Sequence, residues 1–363
     1  MTNHTTIKNK ISSFNKIINI SSDKSISIRS ILLASQAVGI SKISNLSEAE
    51  DVLNALKVIR KLGIKYTKNK NIYTIHGYGI NGFNLKKNTT INAGNSGTLA
   101  RLILGLLVRS QFKVKLVGDK SLSKRDFSRV VKPLRLMGAN IKSRNNLLPI
   151  EITGTNFLRP IIYNEDIGSA QVKSCLILSA LNTPGKTIIN SRISRNHTEL
   201  MLKFLKYPIR IKKEEDIDKI SIQGLNQFRA FEYNVPGDMS SAAFFIVLTI
   251  LSKDSRMIIK NVNINKTRTG IIKILNKMGA NIQFKKTKIY NGEKIADICV
   301  KSVKKLKCVS CPSKLNSSAI DEFLIIFLAA AKAKGISKFK DLGEMNKKES
   351  KRLDLAIKFL KLI

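Results

Sequence analysis

The stretch NSGTLARLILGLLVRS, residues 95–110, opens with small polar residues and then runs apolar on every side of a helix. A helix without a polar face belongs in an interior. The Asn and Ser before it read as N-cap residues. The arrangement recurs as KSISIRSILLASQAVG (24–39), SAQVKSCLILSALN (169–182), DMSSAAFFIVLTILSK (238–253) and SAIDEFLIIFLAAAKAKG (318–335). Five amphipathic segments alternate with these five. EAEDVLNALKVIRKLGI ends near Gly63, DFSRVVKPLRLMGANI near Gly138, HTELMLKFLKYPIRI near Pro208 and KTRTGIIKILNKMGANI near Gly279, while KKESKRLDLAIKFLKLI runs to Ile363. The closing Leu or Met, then Gly and an extended run, predicts a helix C-cap leading into a strand. Alternating segments such as KVKLVG, KTIINSRIS and RMIIKNVNI predict the strands between. Each unit of about 70 residues therefore supplies strands, one buried helix and one amphipathic helix.

Composition sets the outer limits. The 363 residues are 43% hydrophobic, which makes a folding chain of about two domains. Four cysteines in this length argue for a reducing compartment. The N-terminal MTNHTTIKNK lacks the apolar stretch of a signal peptide, and the apolar run Ala242 to Leu251 is about half a bilayer span, so a cytoplasmic protein without a membrane segment is expected. The net charge of +39 raises nucleic acid as a partner. Yet the lysines are scattered, aromatics are 6% with no Trp, and neither helix-turn-helix nor zinc-finger spacing appears. The charge reads as a compositional background of Lys, Ile and Asn, and no specific nucleic acid is expected. CVSC (308–311) with Cys299 has metal-ligand spacing, but His4, His76 and His197 offer no evident fourth ligand, so neither metal nor cofactor is expected.

The polar starts of the buried helices carry the chemistry. Helix N-termini present free N–H groups and a positive dipole end, so several of them together suit an anion. Ser96 and Ser240 alone read as caps. Lys24 and Arg29 oppose the dipole of their own helix and need an anionic reason to be there. Ser25, Gly97, Thr98, Arg101, Ser169 and Gln171 share such starts, and Arg125 and Arg195 lie in basic loops suited to bidentate binding of phosphate or carboxylate. Asp321 and Glu322 fall one turn into an otherwise apolar helix, where an unpaired carboxylate would be costly. Glu349, with Arg352 one turn on, reads equally as a proton-transfer group or as a first-turn dipole partner.

In this order the motifs resemble one family. DKSISIR (23–29) and NSGTLAR (95–101), followed by GDKSLSKR, SAQVKS, SRNHTE, VPGDMSSAAFF, NKTRTG, IDE and KKESKR, are similar to the motifs of 3-phosphoshikimate 1-carboxyvinyltransferases over essentially the whole chain. The resemblance implies an α/β fold of two domains built from βαβαββ units (the inverse α/β barrel of enolpyruvyl transferases). The domains would be 1–20 with 235–363, and 21–234. It implies transfer of the enolpyruvyl group of phosphoenolpyruvate to the 5-hydroxyl of shikimate 3-phosphate. By the same likeness, shikimate 3-phosphate would be bound by Lys24, Ser25, Arg29, Ser169, Ala170, Gln171, Arg195, Asp321 and Lys348. Phosphoenolpyruvate would meet Lys24, Gly97, Arg125, Gln171 and Arg352. Asp321, Glu349 and Lys24 would move protons. A monomer acting on small molecules is implied, and Gly97 falls where bulkier residues confer glyphosate tolerance, so the sensitive type is implied.

Departures from the pattern also shape the expectation. Ile20 and Ser21-Ser22 stand where the family has Pro-Gly, Asp126 where it has Pro, and Lys351 where it has Asp. Five of six units are counted, and the missing one would carry the last phosphoenolpyruvate-binding Arg and Lys, so low activity and exposed apolar surface are expected. The related transferase acting on UDP-N-acetylglucosamine is the nearest rival, but no Cys here lies in the context of its reactive loop. A basic nucleic-acid-binding or scaffold remnant is the rival of another class.

Overall fold

The computed structural model describes residues 11–347 and 350–361. The chain forms two compact units, a larger one of Ser21–Pro236 with Ile289–Lys294, and a smaller one of Met1–Ile20, Gly237–Lys288 and Ile295–Ile363.

Strand β1 (Asn15–Ile18) opens the smaller unit. The larger unit then runs α1 (Lys24–Gln36), β2 (Val38–Ser44), α2 (Glu50–Lys61), β3 (Tyr66–Asn69) and β4 (Ile72–Tyr78). Next come β5 (Thr89–Asn92), α3 (Gly97–Leu106), β6 (Val114–Val117), α4 (Ser128–Leu136), β7 (Asn140–Ser143) and β8 (Ile150–Thr153). A third set follows as β9 (Ile162–Glu165), α5 (Ala170–Leu181), β10 (Lys186–Arg192), α6 (His197–Phe204), β11 (Ile209–Glu214) and β12 (Ile217–Gln223), and β13 (Glu232–Asn234) closes the unit. The smaller unit resumes with α7 (Met239–Leu251), β14 (Arg256–Asn263), α8 (Gly270–Lys277), the hairpin β15 (Asn281–Tyr290) and β16 (Glu293–Lys301), then α9 (Asn316–Ala319), α10 (Phe323–Ala331) and α11 (Arg352–Leu360).

Four sheets share one plan. Their orders are β13-β2-β4-β3, β5-β6-β8-β7, β11-β12-β10-β9 and β1-β14-β16-β15. In each, an edge strand lies parallel to the strand after the buried helix, and an antiparallel hairpin completes the sheet. The repeat is therefore βαβαββ, with β1 and β13 exchanged between units. The chain changes unit at 20/21 and 236/237, both between an edge strand and the next buried helix, and the tip of the β15–β16 hairpin, Ile289–Lys294, counts with the larger unit. The fifth helix set has, among the described residues, two isolated parallel bridges, Lys307 with Lys334 and Ser310 with Lys338.

The amphipathic helices end alike. The N–H of Gly63, Gly138 and Gly279 returns to the carbonyls of Arg60, Arg135 and Asn276, and the next N–H reaches back five residues. These glycines have φ of +87°, +97° and +88°, the left-handed cap that tolerates glycine best. After α6 the same role falls to Lys206 at φ +57°, two residues before the expected Pro208.

In the larger unit the buried helices are enclosed as expected, and every residue of α1 from Ile26 to Gln36 is buried. One expectation fails in the smaller unit. The helix expected over 318–335 is broken by a turn at residues 320–322 into α9 and α10, so Asp321 and Glu322 lie between helices and not inside one. The buried helices of this unit leave Phe244 and Phe245 of α7 and Leu324 of α10 exposed, in line with the expected exposed apolar surface. Among the described residues no helix is long and apolar enough to cross a membrane.

In the larger unit α3 and α5 approach closely, and a Cβ on Gly105 would lie 2.2 Å from the Cys175 carbonyl oxygen. That oxygen belongs to backbone and cannot swing away. Gly105→Ala should destabilise the protein by about 1–3 kcal/mol in urea unfolding, despite the better helix propensity of Ala, which is worth only about 1 kcal/mol. Burial pushes the Cys175 thiol up to about 12, whereas Cys308 is exposed. Because the thiolate is the reacting form, a thiol reagent at pH 8 should label Cys308 in the native protein and Cys175 only after unfolding, as peptide mass analysis would show.

Candidate active site

The first turns of α1, α3 and α5 carry most of the expected residues, and hydrogen bonds tie them together. Asp23 caps α1, its carboxylate accepting from the Ile26 N–H at 2.8 Å. Lys24 follows, half exposed, with Nζ 3.2 Å from Asp51 Oδ2 of α2. That carboxylate is an anionic partner the sequence reading did not supply. Ser25 is half buried, and Arg29 one turn on is 4% exposed. Burial pulls the Arg29 guanidinium down to about 10, with Glu199 and Asp23 opposing, so it stays charged at neutral pH.

A second group gathers around α3. Ser96 caps the helix by accepting from the Leu99 N–H. A Cβ on Gly97 would lie 2.8 Å from Arg101 Nη1 and 2.9 Å from Arg125 Nη1, so two guanidinium groups close over this glycine. Arg125 Nη2 donates to Asn95 Oδ1 at 2.6 Å, and Asn95 Nδ2 donates to Asp119. The Leu122 N–H, first, and then the Asn95 amide hold the Asp119 carboxyl below its usual range. Arg101 donates to the carbonyls of Gly97 and Asp126 and lies 4.8 Å from the centroid of the Phe127 ring. Burial first, and then the charge of Arg125, pull Arg101 down to about 10. Two like charges side by side at a helix N-terminus favour an anion between them. Asp126 caps the following segment through the Ser128 N–H at 2.8 Å, a role its side chain can take where a proline could not.

Gln171 of α5 joins this group, its Nε2 donating to Thr98 Oγ1 at 3.1 Å. Ser169 caps α5 by accepting from the Val172 N–H, and Ala170 is the first residue of the helix. The buried Glu165 carboxylate accepts from the N–H groups of Gly168 and Ser169 at 2.8 and 2.9 Å and fixes this entry. Arg195 is half buried two residues before α6, and its charge bears on Arg29.

The smaller unit holds the other expected residues. Arg352, the first residue of α11, donates from Nη1 to Asp321 Oδ1 at 3.1 Å. The expected Lys348 and Glu349 lie outside the described residues. Glu322 is 2% exposed and accepts from Ser240 Oγ, with Arg268 Nη2 4.0 Å away. Arg268 also donates to Asp238 and Ser240 at the start of α7. Glu322 thus closes a structural network. Arg268 lies in NKTRTG, but its partners Asp238, Ser240 and Glu322 are far away in the chain, and Glu165 stands just ahead of the SAQVKS motif, so neither role was read from the sequence. No three His, Cys, Asp or Glu residues are grouped to hold a metal ion among the described residues.

The chain is similar to proteins of one family. Residues 8–363 match the family model of EPSP synthase (3-phosphoshikimate 1-carboxyvinyltransferase). The chain is 44% identical over 339 residues to a 3-phosphoshikimate 1-carboxyvinyltransferase of Ruthia magnifica subsp. Calyptogena magnifica, covering 93% of this chain and 77% of that one. Its structure is similar to EPSP synthase from Acinetobacter baumannii, with a TM-score of 0.85, 38% identity, and 96% and 78% of the two chains covered. It shares its fold with the enolpyruvyl transferase NikO of Streptomyces tendae, at a TM-score of 0.68 and 13% identity over 89% and 74% of the chains. By the family model, the sequence identity and the shared fold, the chain belongs to the EPSP synthase family.

Proposed function

We propose that this chain transfers the enolpyruvyl group of phosphoenolpyruvate to the 5-hydroxyl of shikimate 3-phosphate, giving 5-enolpyruvylshikimate 3-phosphate and phosphate. The observation that carries the reading is the set of cations on helix N-termini, in a chain whose family performs this transfer. The two units correspond in this reading to the domains 21–234 and 1–20 with 235–363. The protein acts as a cytoplasmic monomer on small molecules, without a cofactor.

The roles are those the family resemblance implies, and the charges agree with them. Shikimate 3-phosphate is held by Lys24, Ser25, Arg29, Ser169, Ala170, Gln171, Arg195, Asp321 and Lys348, whose cations and N–H groups match a phosphate and a carboxylate. Phosphoenolpyruvate is held by Lys24, Gly97, Arg125, Gln171 and Arg352. The 5-hydroxyl oxygen adds to C2 of the enol phosphate and gives its proton to Asp321, while Glu349, assisted by Lys24, protonates the methylene carbon. Breaking the C2–O bond to phosphate and returning one methyl proton to Glu349 restores the double bond. Carboxylates placed for proton transfer and cations facing the phosphates supply the two kinds of assistance such a step needs.

Isothermal titration calorimetry with shikimate 3-phosphate tests the reading. The chain should bind it with a Kd on the order of micromolar, and Lys24→Ala should weaken this at least about tenfold. Absence of binding, together with salt-sensitive binding to any DNA, would overturn the assignment. At Gly97 the geometry predicts a more selective effect. Gly97→Ala must push aside Arg101 or Arg125, so the KM for phosphoenolpyruvate should rise about tenfold or more with little change in shikimate 3-phosphate binding.

A further inference from the structure

We propose that Thr198, acting with Ser174, is a positioning residue for the guanidinium of Arg29; the inference rests on Arg29 being a ligand of shikimate 3-phosphate. Arg29 Nε donates to Thr198 Oγ1 at 2.8 Å, Nη2 to Ser174 Oγ at 3.0 Å, and Nη1 to the Ser25 carbonyl at 3.0 Å. The Thr198 hydroxyl in turn donates to Ser174 Oγ at 2.8 Å. All three side chains are at most 4% exposed. Three of the five N–H bonds of a guanidinium are thus directed to fixed acceptors on three elements, α1, α5 and α6. The remaining two are left for a ligand.

The chemistry of the acceptors is the informative part. Hydroxyl and carbonyl oxygens orient a guanidinium without cancelling its charge, whereas a carboxylate at the same distance would do both. Of the acids whose charges bear on Arg29, Glu199 is engaged by Lys173, whose Nζ lies 2.8 Å from Glu199 Oε1 with both side chains buried, Asp23 caps α1, and Glu293 meets His197. Lys173 and Glu199 directly adjoin Ser174 and Thr198 in the chain. The ion pair and the hydroxyl pair therefore bridge the same turns of α5 and α6 side by side, and hold the two hydroxyls at a set spacing. The first residue of α6 is fixed independently, His197 Nδ1 lying 2.6 Å from Glu293 Oε1. The cation is held rigid and still wants an anion.

A residue that merely satisfies a buried guanidinium would affect folding and binding differently from one that aims it. Calorimetry with shikimate 3-phosphate and thermal unfolding on the full chain separate the two. Thr198→Val keeps the shape and removes the acceptor, and should weaken binding about tenfold or more, while Thr198→Ser should return it to within about threefold of wild type. Ser174→Ala removes the other acceptor and should weaken binding in the same sense, which keeps the test open should Thr198→Val fail to fold. Binding by Thr198→Val within twofold of wild type, or by Thr198→Ser as weak as by Thr198→Val, overturns the positioning role alone. Wild-type protein that does not bind shikimate 3-phosphate overturns the proposed function, and this role with it.

Discussion

Three apolar helices lying against one another in the same direction are the constraint on which the larger unit depends. Arg29 of α1 reaches Ser174 one turn into α5, and Gln171 at the start of α5 reaches Thr98 at the start of α3. Contacts between matching turns require that all three helices begin at the same end. Their apolar bodies supply the burial that drives folding, and the near approach at Gly105 leaves no room for a different register. The N-terminal turns are then polar by necessity, because several free N–H groups and three dipole ends meet there. Cations can be tolerated at that end only where anions answer them. The candidate site is a consequence of helix packing before it is anything else.

Much of this was legible in the amino-acid order. The period of the repeat, the glycine closing the amphipathic helices and the polar opening of the buried ones are local signals, and they placed α1 to α8 with few errors. What was hidden depends on partners far away in the chain. The break at residues 320–322 sits in a segment apolar enough to be one helix, and Glu322 there answers Ser240 and Arg268, some 80 and 50 residues distant. Exposed apolar surface was expected, but not that Phe244 and Leu324 would carry it, since an apolar helix shows no periodicity by which to tell which face is covered. Lys206 took the left-handed cap where a glycine or Pro208 was the natural reading. Among site residues, Lys24, Gly97, Arg125 and Gln171 announced themselves by motif. Asn95, Ser174 and Thr198 lie in such motifs as well, but nothing local shows that they, like Asp51, hold cations in place.

The charge imbalance acquires a location. The chain has 25 acids, and at least seven of them are buried: Asp23, Glu165, Glu199, Asp218, Glu293, Asp297 and Glu322. Acidic side chains are rarely buried without a partner, and most of these have a specific one, such as Lys173 for Glu199 or Lys260 for Asp297. With so many acids committed inside, the surface is left to lysine. Strand β15 illustrates this, an edge strand exposed along nearly its whole length and bearing Lys285, Lys286 and Lys288. Lysine on an unpaired edge also discourages strand addition. The net charge of +39 is therefore a property of solvent-facing positions.

The two cations of α1 show how differently a fold can present the same sign of charge. Lys24 is half exposed and leans on a carboxylate, Asp51, at 3.2 Å. An incoming phosphate must compete with that carboxylate, and the long side chain is free to exchange one partner for the other. Arg29 is buried, and its hydrogen-bond acceptors are neutral oxygens on separate elements, so nothing charged has to be displaced when a ligand anion arrives. Lysine in its place would offer one point charge and could not serve Thr198, Ser174 and Ser25 in one plane together with a ligand. In the proposed function, a mobile ammonium suits the group that follows charge as bonds change, and a fixed guanidinium the group that defines where the substrate lies. That division of labour follows from burial and from the choice of acceptor.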